Sequence, residues 1–345
     1  MSVMTVLGPI EKADLGIVLP HEHIFLDLTN QFVEPDDPES KLLSREKIRL
    51  DNYGLLRRNP YAIKDNLILD DLDTAVKEIE FFSRLEGRTI VDCTSVGIAR
   101  SPVLLRRVAE QTGVNIVAGC GYYTYDTHPE DMNELSVETI AECMIRDITV
   151  GIDDTGIRSG VIGEIGTSDP IHPQEAKSLV AAVLASQSTG TPIQVHTYPW
   201  GKQGIEAVQI LAKHGAALNR VAICHVDVVL NIEYIQALLD MGVFVQFDNF
   251  GKEFHICKSD RRFAGGTFAT DIERVKALKY LIDRSYEKQI LVSNDICLKQ
   301  MLHRYGGWGY DHLIANIVPM MLDEGISEGT VDVLLRDNPA NWLNV

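Results

Sequence analysis

Residues 221–226 read VAICHV, and runs of this kind decide the fold. The run is apolar apart from His225, and continuous apolar runs of this length are typical of strands buried on both faces of a parallel sheet. Similar apolar runs occur both before and after it in the sequence. They are GIVLP (16–20), TIVDCT (89–94), NIVAGC (115–120), GVIGEI (160–165), PIQVHT (192–197), VFVQFD (243–248) and ILVSND (290–295). Together they predict eight buried strands.

Segments with helical spacing separate these runs. Several begin with proline or an acidic residue and end near a glycine, such as Gly113, Gly190 or Gly242, as helices do. The predicted helices include 102–112, 173–189, 204–214, 232–241 and 272–285. From residue 89 onward a new strand begins about every 33 residues, which is the size of one βα unit. Eight such units predict a (β/α)8 TIM barrel occupying residues 1–345 as a single domain. An open doubly wound sheet is the alternative, although no glycine fingerprint follows any strand.

Two long segments interrupt the regular alternation of predicted strands and helices. Residues 27–73 follow the first strand, and residues 249–270 follow the seventh. Loops of this length are uncommon in a compact domain unless they have a function. In a barrel, the loops that follow the strands lie on the face where active sites are built. We therefore expect both segments at the active-site face.

The composition excludes several classes of protein. The 345 residues are 45% hydrophobic and 23% charged, with a formal net charge of −17, which indicates a globular protein that repels nucleic acid and anionic membranes. No apolar run approaches the roughly 18 residues of a membrane helix, and the N-terminus does not resemble a secretory signal. The six cysteines form no CxxC pair. A reducing cytoplasm is the expected compartment, and a small molecule is the expected partner.

Residues with metal-ligating side chains follow the predicted strands. The first run continues into His21-Glu22-His23, and side chains two residues apart on an extended chain share a face. The other strand ends carry Glu164, His196, His225 and Asp295. Imidazole and carboxylate suit a divalent ion of the zinc, manganese or cobalt kind. Six ligands are too many for one tetrahedral catalytic ion and suit two, so we predict two divalent metal ions, with zinc as the first choice.

The alternative for each histidine is an ordinary hydrogen-bonded core residue. With ten histidines in the chain, some would fall at strand ends by chance. The joint pattern of four histidines and two carboxylates favours the metal interpretation. The other histidines are interpreted as solvated or capping residues: His128, His172, His214, His255, His303 and His312.

Several motifs together resemble a known family. They are LGPI (7–10), LPHEHI (19–24), GEIGTS (163–168), VHT (195–197), CHVD (224–227), SND (293–295) and DNPANWL (337–343). In this order, spread over essentially the whole chain, they resemble the phosphotriesterase family of the amidohydrolase superfamily. The resemblance implies that His21, His23 and Asp295 hold a buried metal, and that His196 and His225 hold a more exposed one.

The residue that would bridge the two metals differs from that of the best-known members, which use a carbamylated lysine. The resemblance implies that Glu164 takes this place, as in the phosphotriesterase-homology branch. A carboxylate supplies the same bidentate anion without modification. The difference makes it unsafe to transfer substrate preference from the lysine-type members. The resemblance also implies a homodimer.

The expected chemistry follows from the two cations. A water shared by them has a pKa lowered towards neutrality, which predicts a metal-bridging hydroxide that cleaves an ester. Asp295 is the predicted catalytic residue, accepting the proton and passing it to the leaving group. Asp227 lies two residues after His225. It either orients a histidine or relays the proton, or it forms a simple salt bridge.

Substrate contacts are less specific. Tyr122 and Tyr123 follow the third strand and either reach over the metals or pack in the core. Four basic residues occur in the second long segment: Lys252, Lys258, Arg261 and Arg262. They form either a solvated face or a site for phosphate or carboxylate. Trp308 and Tyr310 are candidates for an interface or a pocket wall.

Three activities remain open. The first is a lactonase or carboxylic esterase, with phosphorylated or acidic sugar lactones as candidate substrates. The second is a hydrolase of phosphotriesters or amides. The third is a non-catalytic binding barrel, which the intact set of six ligands disfavours.

Overall fold

The structure, a computed structural model, describes residues 2–258 and 264–344. The strands in this part are β1 (Ser2–Thr5), β2 (Gly8–Glu11), β3 (Ile17–Glu22), β4 (Leu26–Asp27), β5 (Ile68–Leu69), β6 (Gly87–Asp92), β7 (Asn115–Cys120), β8 (Val161–Ile165), β9 (Ile193–Val195), β10 (Val221–Ile223), β11 (Phe244–Phe247) and β12 (Ile290–Val292). Eight of them, β3 and β6 to β12, form one sheet of parallel neighbours in chain order. The predicted TIM barrel is confirmed, and each predicted run overlaps its strand.

The barrel closes where its first and last strands meet. The backbone N–H of Asp295, just after β12, donates to the carbonyl of His21 in β3 at 3.2 Å. The hydroxyl of Ser293 donates to the same carbonyl at 2.8 Å. The first strand is longer than its predicted run 16–20, because it continues through Glu22. His21 is therefore part of the barrel wall.

The helices are α1 (Pro38–Leu43), α2 (Tyr53–Leu56), α3 (Leu72–Arg84), α4 (Pro102–Thr112), α5 (Val137–Thr149), α6 (Pro173–Thr189), α7 (Gly204–Lys213), α8 (Ile232–Asp240), α9 (Asp271–Ile282), α10 (Val318–Asp323), α11 (Glu328–Asp332) and α12 (Asn338–Leu343). The limits of α4 and α6 agree with the predicted helices, and α7, α8 and α9 differ from them only at their ends. The start and stop signals explain this agreement. For example, α6 begins with Pro173 and ends at Gly190, whose φ of 75° is the left-handed conformation that glycine adopts most easily.

The first long segment is folded, and part of it has its own small core. β4 pairs with β5 in antiparallel fashion, so the two ends of the segment are held together at the barrel. Between them lie α1 and α2, with Ile48, Leu56 and Ile63 buried as one cluster. This segment can therefore act as a defined wall beside the active-site face.

The opposite end of the barrel is closed by both ends of the chain. Trp342 of α12 is fully buried with Val3 of β1 and Leu15. These side chains pack under strand residues of the barrel interior, such as Val18 and Val91. Among residues 2–258 and 264–344, none of the helices is long and apolar enough to cross a membrane.

Candidate metal centre

The six predicted ligand residues meet at the carboxyl end of the barrel. They are His21 and His23 at the end of β3, Glu164 in β8, His196 directly after β9, His225 after β10, and Asp295 after β12. All six are buried. The carboxyl ends of parallel strands share one end of a barrel, which explains why residues far apart in sequence come together here.

Three of them form a first group. The Nε2 atoms of His21 and His23 lie 3.6 and 3.4 Å from Oδ1 of Asp295. One potential ligand atom from each residue falls within 4.8 Å of the others. The group therefore offers two imidazoles and one carboxylate to a single point.

Glu164, His196 and His225 form a second group. Oε2 of Glu164 lies 3.1 Å from Nδ1 of His196 and 3.5 Å from Nε2 of His225. The Glu164 carboxylate also reaches the first group, with Oε1 at 3.4 Å from Nε2 of His23 and Oε2 at 3.4 Å from Nε2 of His21. It therefore lies between the two groups.

The nitrogens that face away from the centre are occupied by other side chains. Nδ1 of His21 lies 3.0 Å from one Asp248 oxygen, and Nδ1 of His225 lies 3.0 Å from the other. Nδ1 of His23 lies 2.9 Å from the hydroxyl of Thr94. Such partners fix the tautomer and ring orientation of a ligating histidine. The lone pairs of the three Nε2 atoms are thus directed at the centre.

Two residues of the centre have unusual backbone conformations. His225 has a φ of 62° and Asp295 a φ of 49°, in the left-handed region that non-glycine residues rarely adopt. Conformations of this kind cost about 1–3 kcal/mol and persist only where the surroundings enforce them. Here the N–H of His225 donates to Asp248 at 3.1 Å, and that of Asp295 donates to the His21 carbonyl at 3.2 Å.

The donor set fits divalent cations. Nε2 of His21 is buried and, within the described part of the chain, makes no hydrogen bond. A buried polar atom without a partner costs about 1–3 kcal/mol, and a cation between the carboxylates would use its lone pair. Each group combines imidazole with carboxylate, the ligands that zinc, manganese and cobalt accept.

The local charges keep the carboxylates ionised. Burial alone would raise the pKa of Glu164, but the imidazoles of His21 and His196 hold this pKa well below its usual range. Burial also opposes ionisation of Asp248, whose pKa is nevertheless lowered by His225 and His21. Ionised carboxylates are the form that binds a metal.

Lys252 lies at the edge of the centre. Its side chain is buried, and its ammonium forms an ion pair with Oδ2 of Asp295. Burial would raise the pKa of Asp295, but Lys252 and His21 lower this pKa to about 2. A solvated position for Lys252 is therefore wrong. A cationic group faces the interior of the site.

Only one of the other basic residues of the second long segment lies among the described residues. This is Lys258, which is exposed, whereas Arg261 and Arg262 lie outside the described residues. Whether the arginines contact a substrate stays a prediction.

The two tyrosines after β7 face different ways. The hydroxyl of Tyr123 lies 3.5 Å from Nε2 of His196, and Tyr123 lines a cavity of about 50 Å³ over the centre. Tyr122 lies instead in a separate cavity with Cys143 and Asp147. The expectation that both reach over the metals is wrong for Tyr122, because consecutive residues of an extended chain point in opposite directions.

Asp227 does not contact the histidines of the centre. It is buried against Arg274, whose Nε lies 3.0 Å from Oδ2, and it accepts hydrogen bonds from Asn249. The salt bridge is therefore the alternative found in the structure. The residue that orients histidines is Asp248, which sequence reasoning missed although it ends the run 243–248 as the other site residues end theirs.

Two aromatic residues near residue 310 have separate roles. Tyr310 is buried and its hydroxyl donates to the carbonyl of His23 at 2.8 Å, so it is neither an interface nor a pocket wall. Trp308 is 54% exposed and stacks on His312. His312 itself is buried beside Asp271, at 2.9 Å, which corrects its interpretation as a solvated or capping residue.

A model of the phosphotriesterase family matches residues 1–343. The chain belongs to the phosphotriesterase family. It is 35% identical over 343 residues to the N-acetyltaurine hydrolase of Xenopus tropicalis, with 99% of this chain and 97% of that protein covered.

Several solved structures have the same fold. A resiniferatoxin-binding protein from Rhodobacter sphaeroides has a TM-score of 0.95 at 35% identity, covering 99% of this chain and 94% of its own. The phosphotriesterase homology protein of Escherichia coli has a TM-score of 0.79 at 30% identity, covering 96% and 99%. A phosphotriesterase-like lactonase from Deinococcus radiodurans has a TM-score of 0.77 at 27% identity, covering 99% and 100%.

These comparisons confirm the predicted family and the predicted class, a metal-dependent hydrolase. They do not agree on the bond that is cleaved. The N-acetyltaurine hydrolases act on an amide and the lactonases on a cyclic ester.

Proposed function

We propose that this protein is a binuclear metal-dependent hydrolase of small carboxylic amides that carry an anionic group. The observation that carries the proposal is the position of Lys252, a buried ammonium in contact with Asp295 at the edge of a centre built from two imidazole–carboxylate groups.

In this proposal His21, His23 and Asp295 would hold one cation and His196 and His225 the second, with Glu164 as a ligand available to both. When bound, two divalent cations would supply Lewis acidity and lower the pKa of the attacking water. Zinc is the first choice, since the ligand types suit it.

The chain's own residues supply the remaining steps. Asp295 takes the proton from the attacking water and hands it to the departing amine, because its carboxylate lines the cavity at the centre. Asp248 keeps His21 and His225 in place through their Nδ1 atoms. Tyr123, near His196, lines the same cavity.

Lys252 recognises the anionic group. The residue is only 4% exposed and lines the cavity, so a negative charge there would meet an incompletely solvated cation. Attraction between charges is stronger where water is excluded. The amide preference of the relatives at about 35% identity supports this choice, since the taurine in their name carries a sulfonate.

A lactone is the second candidate substrate. It is supported by the lactonase among the family structures and needs the same attack on a carbonyl carbon. A non-catalytic binding role is disfavoured by the complete set of six ligand residues.

The test is a panel of substrates given to protein loaded with zinc, manganese or cobalt. It contains N-acetyltaurine, its neutral analogue N-propylacetamide, γ-butyrolactone and the phosphotriester paraoxon. We expect N-acetyltaurine to be hydrolysed in preference to N-propylacetamide, and Lys252→Met to remove that preference by raising KM for the anionic substrate only. Hydrolysis of the lactone alone would show that the second candidate, a lactone, is the substrate. Hydrolysis of none of the four compounds would overturn the proposal.

A further inference from the structure

We propose that a cavity under the first long segment is a binding site for a neutral group of the substrate, adjacent to the scissile bond. This side cavity has a volume of about 180 Å³, and its lining combines apolar with polar residues: Val33, Pro35, Leu43, Leu55, Tyr61 and Ala62 with Gln31, Asp37, Ser40 and Asn59. The inference rests on the proposed function, because it assigns the remote end of that substrate.

The side cavity adjoins the metal centre. Gln31 and Tyr61 line both the side cavity and the cavity over the centre. Gln31 is only 7% exposed, and its amide donates to the hydroxyl of Tyr123 at 3.4 Å. That hydroxyl lies 3.5 Å from His196. The two cavities are therefore neighbours, with Gln31 and Tyr61 in the wall of each.

The volumes decide where the bulk of a substrate can go. The cavity over the centre holds about 50 Å³, which is room for a few water molecules at about 10–15 Å³ each. The side cavity is more than three times larger. An apolar cavity of about 150 Å³ accepts a benzene-sized molecule. The side cavity is thus large enough for a chain or ring of about six heavy atoms.

The lining selects a neutral group. Among the described residues, no lysine or arginine lines the side cavity. Its carboxylate is that of Asp37, which already accepts the backbone N–H of Ser40 at 2.9 Å as the cap of α1. The rest of the wall combines apolar side chains, such as Leu43 and Ala62, with uncharged polar ones, such as Asn59. The anionic end of the substrate is then left to Lys252, and the acyl chain enters the side cavity.

A series of N-acyltaurines from acetyl to hexanoyl tests this assignment on metal-loaded protein. Each buried methylene should raise kcat/KM about fourfold. Leu43→Trp fills the side cavity and should bring the hexanoyl-to-acetyl ratio close to one. The matched control is Leu42→Trp at the neighbouring position of α1, which is 71% exposed and does not line the side cavity. Ala62→Phe fills the side cavity from another wall and should act like Leu43→Trp.

A binding measurement separates this inference from the proposed activity, since it needs no turnover. Hexanamide, followed by calorimetry, should bind wild type and Leu42→Trp and lose at least tenfold in affinity for Leu43→Trp and Ala62→Phe. If no acyltaurine is hydrolysed but this binding pattern is found, the side cavity stands and the amidase proposal fails. Equal hexanamide binding by all four proteins, or a kcat/KM that does not rise with chain length while acyltaurines are hydrolysed, overturns the side cavity as a binding site.

Discussion

The guanidinium of Arg274 on α9 lies 3.0 Å from the carboxylate of Asp227, and neither side chain is accessible to solvent. The same guanidinium donates to the carbonyl of Lys252 at 3.1 Å. Asp227 in turn holds Asn249 through both its backbone N–H and its side-chain amide, and that amide also donates to Asp248. One buried cation thus supports both Lys252, which faces Asp295, and Asp248, which orients two histidines.

Replacing Arg274 by Met should destabilise the protein strongly. Arg274 pairs with Asp271 at 2.9 Å as well as with Asp227. The substitution would leave both carboxylates buried without this cation, and breaking a buried pair in this way costs about 3–5 kcal/mol. The free energy of unfolding in urea measures the effect. Lys279→Met is the control on the same helix, since its pair with Asp283 is largely exposed and should contribute less than about 1 kcal/mol. Equal losses for the two variants would contradict the role given to Arg274.

Metal content should reach close to two divalent ions per chain. The reason is the division of the six residues into two groups that share Glu164. His196→Ala should release one ion more readily, and His23→Ala should weaken the other. Elemental analysis after dialysis against a weak chelator measures both. Metal-saturated wild type that never exceeds one ion per chain would rule out two cations.

Asp295→Asn should lower turnover by about two orders of magnitude or more, a size typical of lost general-base catalysis. The amide is nearly isosteric, so the fold should persist, as circular dichroism can show. Rates must be compared at equal metal content, because the carboxylate is also a proposed ligand. Near-normal turnover under those conditions would show that a residue other than Asp295 accepts the proton.

Reconstitution of the metal-free protein should not depend on bicarbonate. Glu164 is a carboxylate in its own right, whereas a carbamylated lysine must first capture carbon dioxide. The rate at which activity recovers after metal is added should therefore be the same with and without bicarbonate. Glu164→Gln removes the shared negative charge, so both metals should bind far more weakly. Tight retention of both ions by this variant would show that the bridge lies elsewhere.

Asp65 should stabilise the protein at neutral pH and not in acid. Burial would raise its pKa, but the ammonium groups of Lys47 and Lys299, at 2.6 and 2.9 Å, lower the pKa below its usual value. A carboxyl group whose pKa is lower in the folded state than in the unfolded state stabilises the fold when the pH is above its unfolded-state pKa of about 3.9. This stabilisation is lost as the pH falls through the folded-state pKa. The difference in unfolding free energy between wild type and Asp65→Asn should shrink accordingly below about pH 4. Asp70→Asn is the control, because Asp70 is mostly exposed and lies 3.7 Å from Lys299. A difference that stays constant with pH would contradict the assignment.

The barrel could be predicted from sequence because its signals are local. A parallel strand buried on both faces, such as 221–226, is apolar throughout, and a helix such as α6 has its own start and stop residues. The gathering of His21, Glu164 and Asp295 also followed from the strands alone, since the barrel brings all carboxyl ends to one face.

The contacts beyond the strands depend on loop conformation, which no local pattern fixes. Lys252 lies in a stretch of basic residues that could equally be solvated, and only its packing against Arg274 and Asp295 places it inside. Tyr122 and Tyr123 are adjacent in sequence and have the same neighbours, yet only the side chain of Tyr123 faces the centre. The importance of Asp248 could have been found by applying the strand-end argument to every strand.

The closure of the barrel by both ends of the chain has a consequence for biosynthesis. His21 belongs to the first barrel strand and Asp295 follows the last, while Trp342 fills the floor beside Val3. A nascent chain that still lacks residues 290–343 has neither a closed sheet nor a complete first group of ligands. The first group of ligands is therefore completed only when translation is nearly finished, and until then the exposed edges of the growing sheet depend on the ribosome or on chaperones for protection.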